Sequence, residues 1–527
     1  MYLDNKTAKE RYEAMREYRE NFLTRARECS ELTLPAVLPD DSMSHSSELY
    51  TPYQSVGARG VNNLASKLLL LLLPPNQPFF RLVTKGDTKE QIDQTPEMKT
   101  EIERGLAKIE REVMSEIEQL AIRVPVFEAL KHLIIAGNVL VHMPKKGPMR
   151  VFPLSQYVCR RDPEGSILEL VVKESVSPLA FEEETRNLIM QNEQGIVSTQ
   201  SIDVYTKVCL IDKDRYYVCQ EANNIKIPKS EGYYKKDDIP WNVLRMVRMD
   251  NEDYGRSYVE EYLGDLKSLE GLSQSLVESA AASSKVVFMV RPNSTTKKRD
   301  LAEAQNGDII TGAQDDVTTL QTDKQYDLRV VADAISRFEE RMAYAFLLNT
   351  AVQREAERVT AQEIRYMANE LETALGGVYS LLSQEFQLPL VRLLMKRMSS
   401  KGQIPKLPSG VIRPTIITGV EALGRGNDLQ KLREFTMEIQ QIAQVNPEIV
   451  QMLNMTDLIQ RIATGHGIDT EGLIKTQDQL AQEAQAAEEA ESNNQLVDTM
   501  SAAAPGVASQ AAKSTGDIIK EEGVDIG

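Results

Sequence analysis

The chain has 527 residues, 42% hydrophobic and 26% charged, with a formal net charge of −17 from 61 Lys+Arg against 78 Asp+Glu. That length suits a large buried core divided among roughly two to four domains. The acidic balance argues against a protein that wraps nucleic acid on an extended basic face. It leaves open one that must pass nucleic acid without gripping it, because tight binding needs many phosphate neutralisations.

Met1-Tyr-Leu-Asp-Asn-Lys runs straight into charged helix, without the apolar core of a secretory signal. Four cysteines, Cys29, Cys159, Cys209 and Cys219, have no metal-like spacing and read as reduced thiols of an intracellular protein. Ala8 to about Leu32 predicts an amphipathic helix with Tyr12, Met15, Phe22 and Ala26 on one side. After a polar loop, Thr51-Pro52 opens a second helix as N-cap and first-turn proline, and Pro74-Pro75 end it. Its closing run, Leu68 to Leu73, falls far short of the roughly 20 apolar residues of a membrane span. It reads either as buried helix or as a membrane-docking surface.

Phe79 to Val83 predicts a strand, and Glu97 to Ile122 and Val126 to Ala136 two helices, the latter ended by Gly137-Asn138. A strand-rich region then runs to about Met249. Its candidate strands are Val139 to Met143, Arg150 to Pro153, Ile167 to Ser175, Ile202 to Leu210, Arg215 to Gln220 and Val243 to Arg248. Turn signals such as Asp162-Pro-Glu-Gly165 separate them. A helix and loop at Leu179 to Gln194 interrupt what is otherwise an antiparallel meander in an α+β region.

The stretch from Asp253 to Ser399 organises the rest. A helix from Ser257 to about Lys285 has Tyr262, Leu266, Leu269, Leu276 and Ala280 on its apolar side, with Ser257 and Glu260 as a capping box. Glu260, Glu261, Asp265, Lys267 and Glu270 make its polar side. A second helix, Asp327 to about Leu348, carries a heptad-like seam of Leu328, Val331, Ile335, Phe338, Met342 and Ala345. Such a pair is either a hairpin within one globular domain or the wall of a larger assembly. Between them lies an α/β insert with strands expected at Val286 to Val290, Gly307 to Thr311 and Val317 to Leu320. Its basic loop holds Arg291, Lys297, Lys298 and Arg299. Arg354 and Arg358 lie on a polar connector before a long helix from Thr360 to about Met398, which Gly376-Gly377 and Pro389 should bend. Ile412 to Thr418 is a remote strand expected to rejoin the N-terminal α+β region. A short helical bundle follows, and the chain after Lys475 reads as frayed helix and then disorder.

No enzyme motif stands out. Gly419 to Gly424 has the glycine spacing of a phosphate loop, but Arg425-Gly426 replaces the required Lys-Ser/Thr, which leaves a flexible turn. His45, His132, His142 and His466 are scattered, and neither a zinc motif nor a nucleophile elbow is present. No cofactor or metal is implied. The basic residues of the insert and connector read either as solvated side chains or as contacts for a partner or nucleic acid. From these residues alone, an intracellular nucleic-acid-processing enzyme with an unrecognised metal site and a peripheral membrane scaffold built on the leucine-rich helix also stay open.

Several long stretches resemble the portal protein (head-to-tail connector) of short-tailed, podovirus-type bacteriophages. They are Tyr50-Thr-Pro-Tyr-Gln-Ser-Val-Gly-Ala-Arg-Gly-Val-Asn-Asn-Leu-Ala-Ser-Lys67, Asp253-Tyr-Gly-Arg-Ser-Tyr-Val-Glu-Glu-Tyr-Leu-Gly-Asp-Leu266, the Gln353 to Tyr366 run, and Leu375-Gly-Gly-Val-Tyr-Ser-Leu-Leu-Ser-Gln384. The likeness covers roughly residues 8–475. It implies an α+β, mainly helical portal-type fold in a ring of twelve copies at one capsid vertex, without catalytic activity or membrane. Residues 1–256 and 400–423 would be the wing, 257–285 and 327–348 the stem helices, and 286–326 the clip. Residues 349–360 would be the tunnel loop, 361–399 the long kinked helix, 424–475 the crown and 476–527 a flexible tail. Arg354 and Arg358 become candidates for contact with double-stranded DNA, and Arg291, Lys297, Lys298 and Arg299 for contact with the terminase or tail adaptor. Scaffolding, major capsid and internal core proteins are further expected partners. The expected location is the head–tail junction of the virion, after assembly in the host cytoplasm.

Overall fold

The structure, a computed structural model, describes residues 6–43, 47–75, 78–84, 96–190, 201–283, 287–320, 325–348, 371, 375, 377–405, 412–416, 432, 435–442, 458, 459 and 462. It divides into two compact units, Met1–Ala422 and Leu423–Gly527. In the second unit, residues 435–442 are helical. The first unit is α+β and mainly helical.

Helix α1 (Ala8–Glu31) begins with a reciprocal cap. The Thr7 hydroxyl accepts the Glu10 N–H, and the Glu10 carboxylate accepts the Thr7 N–H. A strap of residues 47–55 leads into α2 (Val56–Leu72) and then β1 (Phe80–Thr84). Helices α3 (Pro96–Gln119) and α4 (Arg123–Ala136) follow. Helix α4 ends at Gly137, at φ +72°, where a Cβ would lie 2.4 Å from the Arg256 carbonyl carbon. Both the left-handed backbone and the close approach require glycine there.

Strands β2 (Asn138–His142) and β3 (Arg150–Phe152) join β10 (Trp241–Arg245) in a three-stranded antiparallel sheet with β2 in the middle. The larger sheet has six strands. β4 (Tyr157–Arg161), β5 (Ile167–Val176), β6 (Ile202–Asp212) and β7 (Arg215–Ala222) run as a meander, with β8 (Ile225–Lys226) and β9 (Gly232–Lys235) both on β7. Helix α5 (Glu183–Met190) lies in the β5–β6 connection.

Alternation along the strands buries both faces of this sheet. Tyr157, Cys159, Leu170 and Val172 pack with Phe22, Leu23 and Trp241 on one side. Val158, Val171 and Tyr205 meet Ala8 and Tyr12 of α1 on the other. Two buried carboxylates dock the start of α1 on the sheet: Glu221 accepts the Ala8 N–H at 2.6 Å, and Glu169 takes a bidentate grip from Arg11.

The organising stretch starts with a single turn, α6 (Tyr258–Glu261), and then α7 (Leu263–Ser283). The insert holds β11 (Val287–Val290), α8 (Lys298–Glu303) and β12 (Val317–Leu320), with β11 antiparallel to β12. Helix α9 (Gln325–Ala345) returns, and after the undescribed segment come α10 (Val378–Leu382), a π-helical turn at Ser383–Gln387, and α11 (Leu388–Ser400). The remote strand β13 (Ile412–Ile416) pairs antiparallel with β1, Phe80 opposite Ile416.

Some expectations need correction. The second helix starts at Val56, not at Thr51-Pro52, because the N–H groups of Tyr53 and Gln54 are taken by the Glu270 carboxylate instead of a helical turn. The helix expected from Ser257 to Lys285 breaks at Tyr262, whose ring packs against Tyr258 and Phe346. Strands β4, β8 and β9 were not expected, and Gly307 to Thr311 is not a strand: Ile309 stands 100% exposed, and among the described residues no strand lies beside it. Pro389 sits in the first turn of α11, directly after the π-helical turn, so the irregularity falls just ahead of the proline.

Candidate functional site

Helices α7 and α9 form an antiparallel hairpin, each of 21 residues and so about 31 Å long. Its base is dry. Leu266, Leu269, Met342 and Phe346 are buried, and Tyr258, Tyr262 and Phe346 form a ring cluster with centroids 5.3–6.1 Å apart. Away from the base the packing runs out. Of the seam expected on α9 only Met342 is buried, while Leu328, Val331, Ile335 and Phe338 are half-buried. Val277 and Val330 are 52% and 54% exposed, and Tyr326 is 81% exposed. An ion pair between the two helices, Arg341 Nη2 to Asp265 Oδ1 at 3.0 Å, lies on the surface and contributes little. The outer half of the hairpin therefore carries apolar surface that this chain alone leaves in water.

The base is clamped to the α+β region at two places. Glu270, expected on the polar side of its helix, is buried and grips the strap. Its oxygens accept from the Tyr50 hydroxyl at 2.6 Å, the Tyr53 N–H at 2.8 Å and the Gln54 N–H at 3.3 Å. Gln54 in turn donates to the Leu32 carbonyl and accepts the Gly57 N–H in the first turn of α2. The proton of Tyr50 is held tightly: its hydrogen bond to Glu270 leads in pushing its pKa up to about 12.

The second clamp closes the C-terminal end of α9. Asn63 donates to the carbonyls of Phe346 and Leu347, Lys67 donates to Leu347, and the Tyr258 hydroxyl donates to Ala345. These are carbonyls that a helix end leaves without helical partners. Leu347 itself lies at φ 54°, a left-handed exit uncommon for a branched residue. Gly60 allows the approach, because a Cβ there would lie 2.4 Å from Phe346 Cγ. Asn63 and Lys67 are four apart on α2, so they share one face of the helix and reach the same target. Glu270 gave no signal in the sequence among so many surface acids.

The insert presents its cations to solvent. Arg291, Lys297, Lys298 and Arg299 are all exposed, and Arg299 pairs with Glu303 one turn on, at 2.9 Å. Lys297 and Lys298 stand at the start of α8, where positive charge opposes the helix dipole, so they do not stabilise that helix. The insert is held instead through Asp316. Its Oδ2 accepts from the Thr295 and Thr296 hydroxyls, both at 3.0 Å, and from the N–H groups of Thr296 and Ala313. The backbone bond from Ala313 leads in holding that carboxyl below its usual pKa. Arg354 and Arg358, and the glycine run at 419–424, lie outside the described residues. Among the described residues no group of His, Cys, Asp and Glu is arranged to hold a metal ion, and no helix is long and apolar enough to cross a membrane.

Fold and site together define an assembly subunit: an α+β body from which a helix pair, tipped by a basic insert, projects with more apolar surface than one chain covers. Residues 5–474 match the family model described as bacteriophage head to tail connecting protein. The chain is 43% identical over 483 residues to the portal protein of Escherichia phage T7, covering 90% of this chain and 89% of that one. It is 42% identical to the portal protein of Enterobacteria phage T3, with the same shares covered, and 30% identical to that of Enterobacteria phage SP6, covering 95% of this chain and 96% of that one. The chain belongs to the head-to-tail connecting, or portal, protein family.

Proposed function

We propose that this chain is one of twelve subunits of a ring at one capsid vertex, through which duplex DNA is packaged by a terminase and later ejected, and to which the tail attaches. The observation that carries the reading is the half-exposed outer hairpin. In a ring each hairpin lies between two others, and side chains such as Val277 and Val330 are covered by neighbours. The hairpin is then the stem lining the channel, the insert 286–326 the clip, and the body with 400–423 the wing. Residues 349–360 form the tunnel loop, 361–399 the kinked helix, 424–475 the crown and 476–527 the tail. Net charge of −17 lets DNA slide, since few phosphates are neutralised along the way. Arg354 and Arg358 supply a local belt of positive charge at the constriction. The chain itself hydrolyses nothing; ATP hydrolysis belongs to the terminase. Scaffolding, major capsid and internal core proteins contact the ring during assembly in the host cytoplasm.

Because Arg291, Lys297, Lys298 and Arg299 add nothing to the packing of the insert, they serve as contacts for the terminase and then the tail adaptor. Replacing all four by glutamine should leave ring mass and melting temperature unchanged and weaken terminase binding at least tenfold, as read by co-sedimentation. Undiminished binding would remove the insert from the motor interface.

A further inference from the structure

A second positive surface lies on the α+β body, away from the hairpin. Three segments build it. The turn after β2 carries Lys145 and Lys146, β9 and the turn that follows it carry Lys235 and Lys236, and α11 and its C-cap carry Arg392, Lys396, Arg397 and Lys401. Contacts between them fix the surface as one piece. Arg397 donates to the Gly147 carbonyl at 3.0 Å, and Lys145 lies 5.3 Å from the centre of the Tyr234 ring. Arg392 and Lys396 reach Asp237 and Asp238 at 3.3 and 2.7 Å. Those aspartates and Glu116, which Lys401 reaches at 3.1 Å, are the carboxylates the eight cations meet among the described residues. The excess of positive charge sits in a chain whose net charge is −17.

Lys145, Lys146, Lys235 and Lys236 are exposed, and among the described residues none has a carboxylate within ion-pair distance. Tyr233, packed on Tyr217, is the one large apolar side chain these segments expose. A protein interface has an apolar centre depleted in lysine, whereas a nucleic-acid interface is polar and strongly positive. From Arg392 in α11 to Lys401 at its C-cap the chain rises about 13 Å, a length over which duplex DNA carries roughly eight phosphates. We propose that this surface binds the phosphate backbone of duplex DNA outside any channel, by point-charge contacts that do not read sequence.

The test uses the full chain and a relaxed, covalently closed circular duplex, which has no end to thread through a ring. Binding of circles does not depend on the ring reading, so failure of one is distinguishable from failure of the other. Wild type should bind, with affinity falling steeply as salt rises. Combined Lys145→Gln, Lys146→Gln, Lys235→Gln and Lys236→Gln substitutions should flatten the log–log salt slope by about 2 to 4 and lower affinity at least tenfold. The corresponding Lys→Arg variant should bind as wild type does, which separates lost charge from lost fold. Unchanged slope and affinity in the glutamine variant would overturn the proposal. So would wild type that binds a polyglutamate peptide but no circle at low salt; the surface would then face an acidic protein.

Discussion

Glu270→Ala removes the carboxylate that ties the hairpin to the strap. The side chain is 6% exposed, and three donors converge on it. The Tyr50 hydroxyl and Tyr53 N–H lie near the surface and turn to water, but Gln54 is 7% exposed and its N–H loses its partner. A buried unsatisfied donor and the loss of charge-assisted bonds together cost about 2 to 3 kcal/mol. That corresponds to roughly a 30- to 150-fold rise in local opening of the strap and the first turn of α2, where Gln54 also holds the Gly57 N–H. Amide hydrogen exchange of a peptide spanning residues 50–58 reads this directly. Glu270→Gln, which keeps one acceptor, should fall between the two. Exchange in the alanine variant within threefold of wild type would refute the idea that this carboxylate holds the strap.

Further outcomes follow from the same geometry. Tyr50 should titrate about two units above the usual 10, because its proton is held by Glu270. As its folded pKa is raised, the stability it adds is present below pH 10 and lost as pH rises through about 12. Ultraviolet titration of wild type against Tyr50→Phe checks this. Gly60→Ala drives a methyl group into Phe346 and should cost about 1 to 3 kcal/mol, read as a lower denaturant midpoint. Burial lowers the pKa of His132 and of His142, which stacks on Trp241, to about 4. Both fold neutral, so stability is full above pH 6.5 and falls as pH drops towards 4, by at most about 3 kcal/mol each. Urea midpoints between pH 7 and 4 should decline less in His142→Phe, and an equal decline would exclude His142 as a cause.

Much of the fold is legible because it is local. Ser257 does cap its helix, accepting the Glu260 N–H at 3.1 Å, and Gly137 does end α4 in the left-handed region. The strands of the meander carry alternation that the structure uses on both faces. What stayed hidden is long-range. β4 holds Arg160 and Arg161 and reads as polar, yet Arg161 spends its guanidinium on the carbonyls of Gly165, Val243 and Asp253. Gly307 to Thr311 has the composition of a strand but no neighbour to pair with among the described residues, and composition carries no information about neighbours. Glu270 looked like one more surface acid, because its partners lie 216 to 220 residues away in the chain. The half-covered hairpin had no sequence signature either, since an apolar seam reads the same whether its cover comes from the same chain or another.

The measurement to make first is the solution mass of the purified protein, with negative-stain images of the same sample. One chain weighs 59.2 kDa. A closed ring of twelve predicts a species of about 710 kDa with ring-shaped end views and a central hole. A compact monomer or dimer at every salt concentration would contradict the ring, and would leave the exposed apolar half of the hairpin to be covered by something other than a second copy of the chain.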